Sequence, residues 1–199
     1  VESRSVAEIV ACLEGGGVVL LPTDTVYGLA VKPDFDASVS RLFALKRRPR
    51  TVNLPVMVHA ESALDALGVE INGKVRNLLR SPLVPGALTL AMGFGPAGPV
   101  PAWLAGRDEV AIRIPDHALM LEVLERVGPL LVTSANAHGA ETPDRLDEIL
   151  AQLDGAPDLA VDGGTLRTVP STLVNCRLEP PVIEREGSIP AARVMEYLS

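Results

Sequence analysis

The stretch SVAEIVACLEGGGVVLL, residues 5–21, places a helix directly ahead of a strand, and that pairing sets the fold class. Val6, Ile9, Val10 and Leu13 recur at helical spacing, and Gly15, Gly16 and Gly17 stop the helix. Val18 to Leu21 is a short apolar run with β-branched residues, which reads as a buried strand, and Pro22-Thr23-Asp24-Thr25 breaks it. The glycine triplet invites a phosphate-loop reading. It follows a helix and precedes a strand, however, the reverse of the dinucleotide fingerprint, so a helix C-cap and turn is the better reading.

The same alternation continues along the chain. Asp36 can cap a helix running to about Lys46, with Pro49 beyond its end. Leu54 to Val58 reads as a strand, helices are predicted near Ala60–Leu67 and Gly73–Arg80, and Ala87 to Met92 is a strand. Residues 93–106, rich in Gly and Pro around Trp103, form a loop. Val110 to Ile114 is a strand, and Pro115-Asp116 opens a helix through Arg126. Leu130 to Val132 is a strand that runs into Thr133-Ser134-Ala135-Asn136. Pro143 and Asp144 open a helix to Leu153; strands follow near Thr172–Asn175 and Pro181–Ile183, then a helix from Pro190. Helices alternating with strands predict α/β layers over a sheet. No repeat, low-complexity tract or linker divides the chain, so one domain is expected over residues 1–199.

Composition narrows the function. Hydrophobic residues make up 47% and mean hydropathy is +0.26, ample for a core, while aromatics at 3% make that core aliphatic and disfavour stacking platforms for single-stranded nucleic acid. Net charge is −7 and pI about 5.0, so phosphate chemistry would need a local cationic patch. Cys12 and Cys176 fit no ligand or redox spacing and are expected to be buried thiols in a reducing cytosol. No apolar run of 18 residues and no signal peptide is present, which points to a cytoplasmic protein; the start at Val1 suggests processing or trimming.

No Walker A pattern and no GxSxG elbow occur, and His59, His117 and His138 show no metal spacing, so no metal held by protein side chains is expected. Lys46-Arg47-Arg48-Pro49-Arg50 concentrates four cations in five residues. It can be a solvated helix end, where each cation is worth about 1 kcal/mol and its removal spares the fold, or an anion clamp. Thr133-Ser134-Ala135-Asn136 and Pro22-Thr23-Asp24-Thr25 both follow apolar strands, where open α/β sheets bind ligands, although either can be a simple turn.

These residues also resemble a known family. Pro22-Thr23-Asp24-Thr25-Val26-Tyr27-Gly28-Leu29 is similar to the opening signature of YrdC-type threonylcarbamoyl-AMP synthases. Lys46-Arg47-Arg48 resembles their K-x-R motif, and Ser134-Ala135-Asn136 their S-x-N motif. Pro85-Gly86 with Leu88-Thr89-Leu90, Ala111 to His117, Pro170-Ser171-Thr172 and Arg185-Glu186-Gly187 follow in the family's order, so the likeness covers roughly residues 15–190.

The resemblance implies a twisted mixed sheet flanked by helices around a concave, locally basic cavity. The implied reaction joins L-threonine, bicarbonate and ATP, with Mg²⁺ on the phosphates, and releases pyrophosphate; a tRNA threonylcarbamoyl transferase machinery then uses the product. By position, Lys46, Arg48, Ser134, Asn136 and Arg185 would contact the nucleotide, with Lys46 and Arg48 in the catalytic role. Thr25, Arg113, Thr133 and Ser171 would hold threonine. The chain departs from common family residues at Asn53, Val84 and Ala87; Met57 stands where some members have His, with His59 two residues out of register, and Glu109 where some have a nucleotide-contacting Thr. The extra C-terminal domain of some longer members is not expected here, so a lid is expected to come from within the chain. An RNA-binding module, a relative that activates another carbamoyl substrate, and an inactive paralogue are the alternative readings.

Overall fold

The computed structural model describes residues 4–96 and 98–198; residues 1–3, Ala97 within the 93–106 loop, and Ser199 at the end of the expected domain lie outside the described residues. In chain order the elements are α1 (Val6–Glu14), β1 (Val19–Leu21), β2 (Gly28–Val31), α2 (Asp36–Leu45) and β3 (Val56–Met57). Then come α3 (Gly73–Leu79), β4 (Leu88–Met92), β5 (Val110–Arg113), α4 (Ala118–Val127) and β6 (Leu130–Ser134). The last are α5 (Leu146–Gln152), β7 (Leu159–Ala160), β8 (Thr172–Asn175), β9 (Val182–Arg185) and α6 (Ala191–Met195).

Ser5 caps α1, accepting from the Glu8 amide while the Glu8 carboxylate returns the bond, so the first orphan amides are satisfied. The chain then turns directly into β1. A Cβ on Gly17 would lie 2.8 Å from the Cys12 carbonyl oxygen, so only glycine lets helix end and strand start approach this closely.

Among the described residues nine strands form one mixed sheet in the order β7-β1-β2-β6-β3-β5-β4-β8-β9. β1–β7, β3–β5 and β4–β8 are parallel, and the other neighbours antiparallel. Alternate residues feed opposite faces. Val19, Leu21, Ala30 and Val132 pack with Ile9 and Leu13 of α1 and Met120, Val123 and Leu124 of α4. On the other face Leu20, Leu29, Val31 and Leu131 join Leu42 and Phe43 of α2, Ile149 of α5 and Val194 of α6. No helix among the described residues is long and apolar enough to cross a membrane.

Several expectations are corrected. The helix predicted over Ala60–Leu67 is a pair of 3₁₀ turns, Glu61–Ala63 and Asp65–Leu67, closed only by i→i+3 bonds and stopped by Gly68 at φ 66°. Phe35, not Asp36, is the N-cap of α2, and Asp36 stands in its first turn. Cys12 is half-buried, because Ile9 and Leu13 take the buried stripe of α1, while Cys176 is buried as expected. Two strands were absent from the sequence reading. In β2 all four residues are buried, so no alternation marks it. β7 is only two residues long, pinned to β1 by Asp158, which accepts from the Val18 amide and pairs with Arg41.

Candidate functional site

A cavity of about 490 Å³ opens along the strand ends. Thr25, Arg48, Arg113, Thr133, Ser134, Ser171 and Arg185, seven of the residues predicted from sequence, line it together. Among the described residues its lining carries three arginines and a single carboxylate, Glu109. Lys46 and Asn136, predicted alongside them, are not among the lining residues.

Arg113 ends β5 and is 5% exposed. Its Nη2 donates to Asp24 Oδ1 at 2.6 Å, its Nη1 to Thr25 Oγ1 at 2.8 Å, and its Nε to the Gly86 carbonyl at 3.0 Å. Burial lowers its pKa, and Asp24 opposes that shift, so the ion pair keeps a buried cation in place. Two guanidinium N–H groups stay uncommitted, a fork that suits a carboxylate. Because Thr25 accepts from Arg113 and Thr23 donates to the Val26 carbonyl at 2.6 Å, the Thr25 hydroxyl proton points to Thr23 Oγ1, 3.1 Å away. Thr25 thus faces the cavity as an acceptor.

Ser171, also in the lining, precedes β8. Its hydroxyl pairs with Thr89 Oγ1 at 2.7 Å, and its carbonyl accepts from Arg185 Nη2 and Nε at 2.9 and 3.1 Å. The β8–β9 register slips between Leu173 and Val174, which brings Arg185 opposite Leu173. Arg185 is exposed as a residue, yet the surrounding protein desolvates its guanidinium enough to lower its pKa, with repulsion from Arg113 adding to the effect. Gly187 has to be glycine here, since a Cβ would sit 2.3 Å from the Pro170 carbonyl.

The cationic cluster leaves α2 through a tight reversal. Arg47 takes φ 51°, a left-handed conformation that a side chain adopts at a cost of roughly 1–2 kcal/mol. The reversal sends Lys46 inward and Arg48 to the cavity. Arg48 donates Nη2 to the Asn53 carbonyl at 3.2 Å, while its buried Nε has no partner among the described residues. Burial lowers the pKa of Arg48. Arg47 pairs with Asp154 at the surface, and Arg50 lies over the Phe43 ring at 6.0 Å.

Lys46 corrects the helix-end reading. It is 1% exposed, and its ammonium donates to the Ser134 carbonyl, to the Asn136 carbonyl at 2.6 Å and to Asn136 Oδ1 at 3.4 Å. Burial, and after it the charge of Arg48, pulls its pKa down to about 7. Asn136 is equally engaged: Oδ1 accepts from Ser134 Oγ at 2.5 Å and from Thr142 at 3.2 Å, and Nδ2 donates to the Ala137 and Ala140 carbonyls, each at 2.8 Å. The two motifs meet as a buried knot behind Ser134, and Ser134 and Arg48 present it to the cavity.

Sequence reasoning missed Asp24 and Thr89, although both sit inside motifs it had singled out; what makes them functional is their bonding to Arg113 and Ser171. Met57 of β3 lines the cavity, and His59 does not. His117 heads α4 without a side-chain capping bond, and burial lowers its pKa against the pull of Asp24 and Asp116. Among the described residues no three His, Cys, Asp or Glu side chains converge on a metal position.

Residues 11–187 match the Sua5_yciO_yrdC family model, described as "Telomere recombination". The Threonylcarbamoyl-AMP synthase of Bacillus subtilis (strain 168) is 36% identical over 186 residues, covering 92% of this chain and 54% of that protein. A Putative threonylcarbamoyl-AMP synthase of Mycobacterium leprae (strain TN) is 33% identical over 199 residues, covering 98% and 89%. The structure of P. abyssi Sua5 complexed with L-threonine superposes with a TM-score of 0.86 at 29% identity, covering 96% of this chain and 56% of that one. The chain therefore spans about half the length of the B. subtilis and P. abyssi proteins and most of the M. leprae one.

Proposed function

The chain belongs to the Sua5/YciO/YrdC family, and on that premise we propose that it forms threonylcarbamoyl-AMP and pyrophosphate from L-threonine, bicarbonate and ATP. The observation that carries this reading is the cavity, where Arg48, Arg113 and Arg185 meet Thr25, Thr133, Ser134 and Ser171 around one volume. A relative crystallised with L-threonine shares the fold around it.

In this reading the two open N–H groups of Arg113 take the threonine carboxylate, and Asp24 holds the guanidinium in its plane. Thr25, Thr133 and Ser171 meet the remaining polar groups of the amino acid. The threonine amine and bicarbonate condense to a carbamate with loss of water. A carbamate oxygen then attacks the α-phosphorus, and the bond to pyrophosphate breaks. Negative charge gathers on the transferring and leaving oxygens. Arg48, with its unpaired Nε, and Arg185 are fixed cations beside that charge, held in place before the reaction begins. Lys46 and Asn136 serve the nucleotide by fixing the Ser134 turn at the edge of the cavity. No side-chain nucleophile is needed. Mg²⁺ would come with the triphosphate, a role that fits a cavity whose lining offers one carboxylate; bound there, it would neutralise phosphate charge. The product passes to the tRNA-modifying transferase machinery of the cytoplasm.

The test is pyrophosphate release with ATP, Mg²⁺, bicarbonate and threonine, each left out in turn. Release only with the full set is the expected result. Release independent of threonine, or ADP and phosphate as products, refutes the assignment. RNA binding that falls steeply with salt, with no turnover of ATP, would instead favour an RNA-binding module.

A further inference from the structure

β5 and the residue just before it present a graded face to the cavity. Glu109, Ala111 and Arg113 line it at successive alternate positions, while Val110 and Ile112 between them are buried in the core. Glu109 is the one carboxylate in a lining with three arginines, so it is misplaced for binding phosphate and suited to a group that donates hydrogen bonds. It is not loose. Arg177 donates Nη1 to Glu109 Oε2 at 2.5 Å, and the Arg177 backbone amide is fixed in turn by Asn175 Oδ1 at 3.1 Å. Glu109 Oε1 has no hydrogen-bond partner among the described residues, and the side chain is 38% exposed.

Spacing says which donor can reach it. Glu109 stands four residue steps before Arg113, so their Cα atoms are roughly 13 Å apart at about 3.3 Å per residue. With an amino-acid carboxylate on Arg113, about ten bonds lead through the carbamoyl group and the phosphate to a ribose hydroxyl. At about 1.2 Å of advance per bond, as in an extended chain, that path also spans about 12 Å. The base lies further on. We propose that Glu109, oriented by Arg177, accepts a hydrogen bond from the ribose hydroxyls and selects ribonucleotides over deoxyribonucleotides. This rests on the adenylate-forming reading above and adds to it a residue that determines which nucleotide is used. Arg177 is a positioning residue, acting through Glu109.

Calorimetric binding of ATP, 2′-deoxy-ATP, 3′-deoxy-ATP and inosine triphosphate to the full chain tests this without requiring turnover. The parent protein should bind at least one deoxy analogue about 10–100-fold more weakly than ATP, the value of a hydrogen bond to a charged acceptor. In Glu109→Ala the ratio should fall to near one; Glu109→Gln, which keeps an acceptor, should recover part of it, and Arg177→Met should lower it while leaving the melting temperature near that of the parent. Equal binding of ATP and both deoxy analogues by the parent overturns the proposal and leaves the adenylate reading standing. So does a Glu109→Ala protein that weakens all four nucleotides equally, or one whose changed preference is for adenine over hypoxanthine. A parent that binds no nucleotide overturns both.

Discussion

Replacing Lys46 distinguishes a surface clamp from a buried structural cation. In Lys46→Ala the Asn136 carbonyl loses its donor, and the Ser134 carbonyl and Asn136 Oδ1 each lose one of several. An unpaired buried acceptor costs about 1–3 kcal/mol. The three methylenes lost beyond Cβ, from a side chain 1% exposed, add about 0.8 kcal/mol each, and a residual cavity adds more. Against this, the variant no longer holds a desolvated ammonium beside Arg48. The balance is a loss of about 3–5 kcal/mol, and in a chain of this size each kcal/mol moves Tm by about 2–4 °C, so Tm should fall by roughly 6–20 °C. Lys46→Met restores most of the volume but none of the donors, and should lose about 1–3 kcal/mol. Differential scanning calorimetry with urea melts gives both numbers. A Lys46→Ala protein melting within a degree or two of the parent would restore the helix-end reading. A Lys46→Met protein as stable as the parent would refute the structural role assigned to the ammonium.

The same residue sets a pH dependence: with its pKa near 7 folded and 10.5 unfolded, the folded chain binds fewer protons across that window, so its contribution makes stability rise from pH 7 toward 10. The urea midpoint of the parent relative to Lys46→Met should therefore increase between pH 6.5 and 9; a flat difference excludes the shift. Arg48→Ala should slow pyrophosphate release by about 100-fold with the fold retained, whereas Arg47→Ala, whose side chain pairs with Asp154 at the surface, should change it little; the reverse order defeats the clamp assignment. Burial pushes the Cys176 thiol up to about 12, so a thiol reagent at pH 8, followed by mass spectrometry, should modify half-buried Cys12 alone until denaturant is added. For the amino acid, serine should be used about 10–200-fold less well than threonine, since a pocket gains only about 1–3 kcal/mol from one methyl, and valine should be rejected more strongly; equal kcat/KM for valine would show that the hydroxyl is not read.

The sequence by itself determined the α/β alternation, because the longer helices α1, α2 and α4 carry a helical apolar stripe and most strands are short apolar runs between turn residues. It also determined the motif positions, since Thr25, Arg48, Arg113, Thr133, Ser134, Ser171 and Arg185 all reach one cavity. β2 escaped it because a strand buried on both faces has no alternation, and β7 because two residues carry no period. The 3₁₀ turns over 61–67 share their apolar spacing with a helix, and the left-handed Gly68 ends them. Tertiary structure alone decided how the polar residues divide. Lys46 and Arg48 are two residues apart on one motif, yet the left-handed turn at Arg47 buries the first among carbonyls of the 134–136 segment and turns the second to the cavity. Asp24 became a site residue only when β5 brought Arg113 against it across 89 positions of chain. Local spacing encodes which face a side chain takes; which partner meets it there depends on chain closure over distances that no local pattern records.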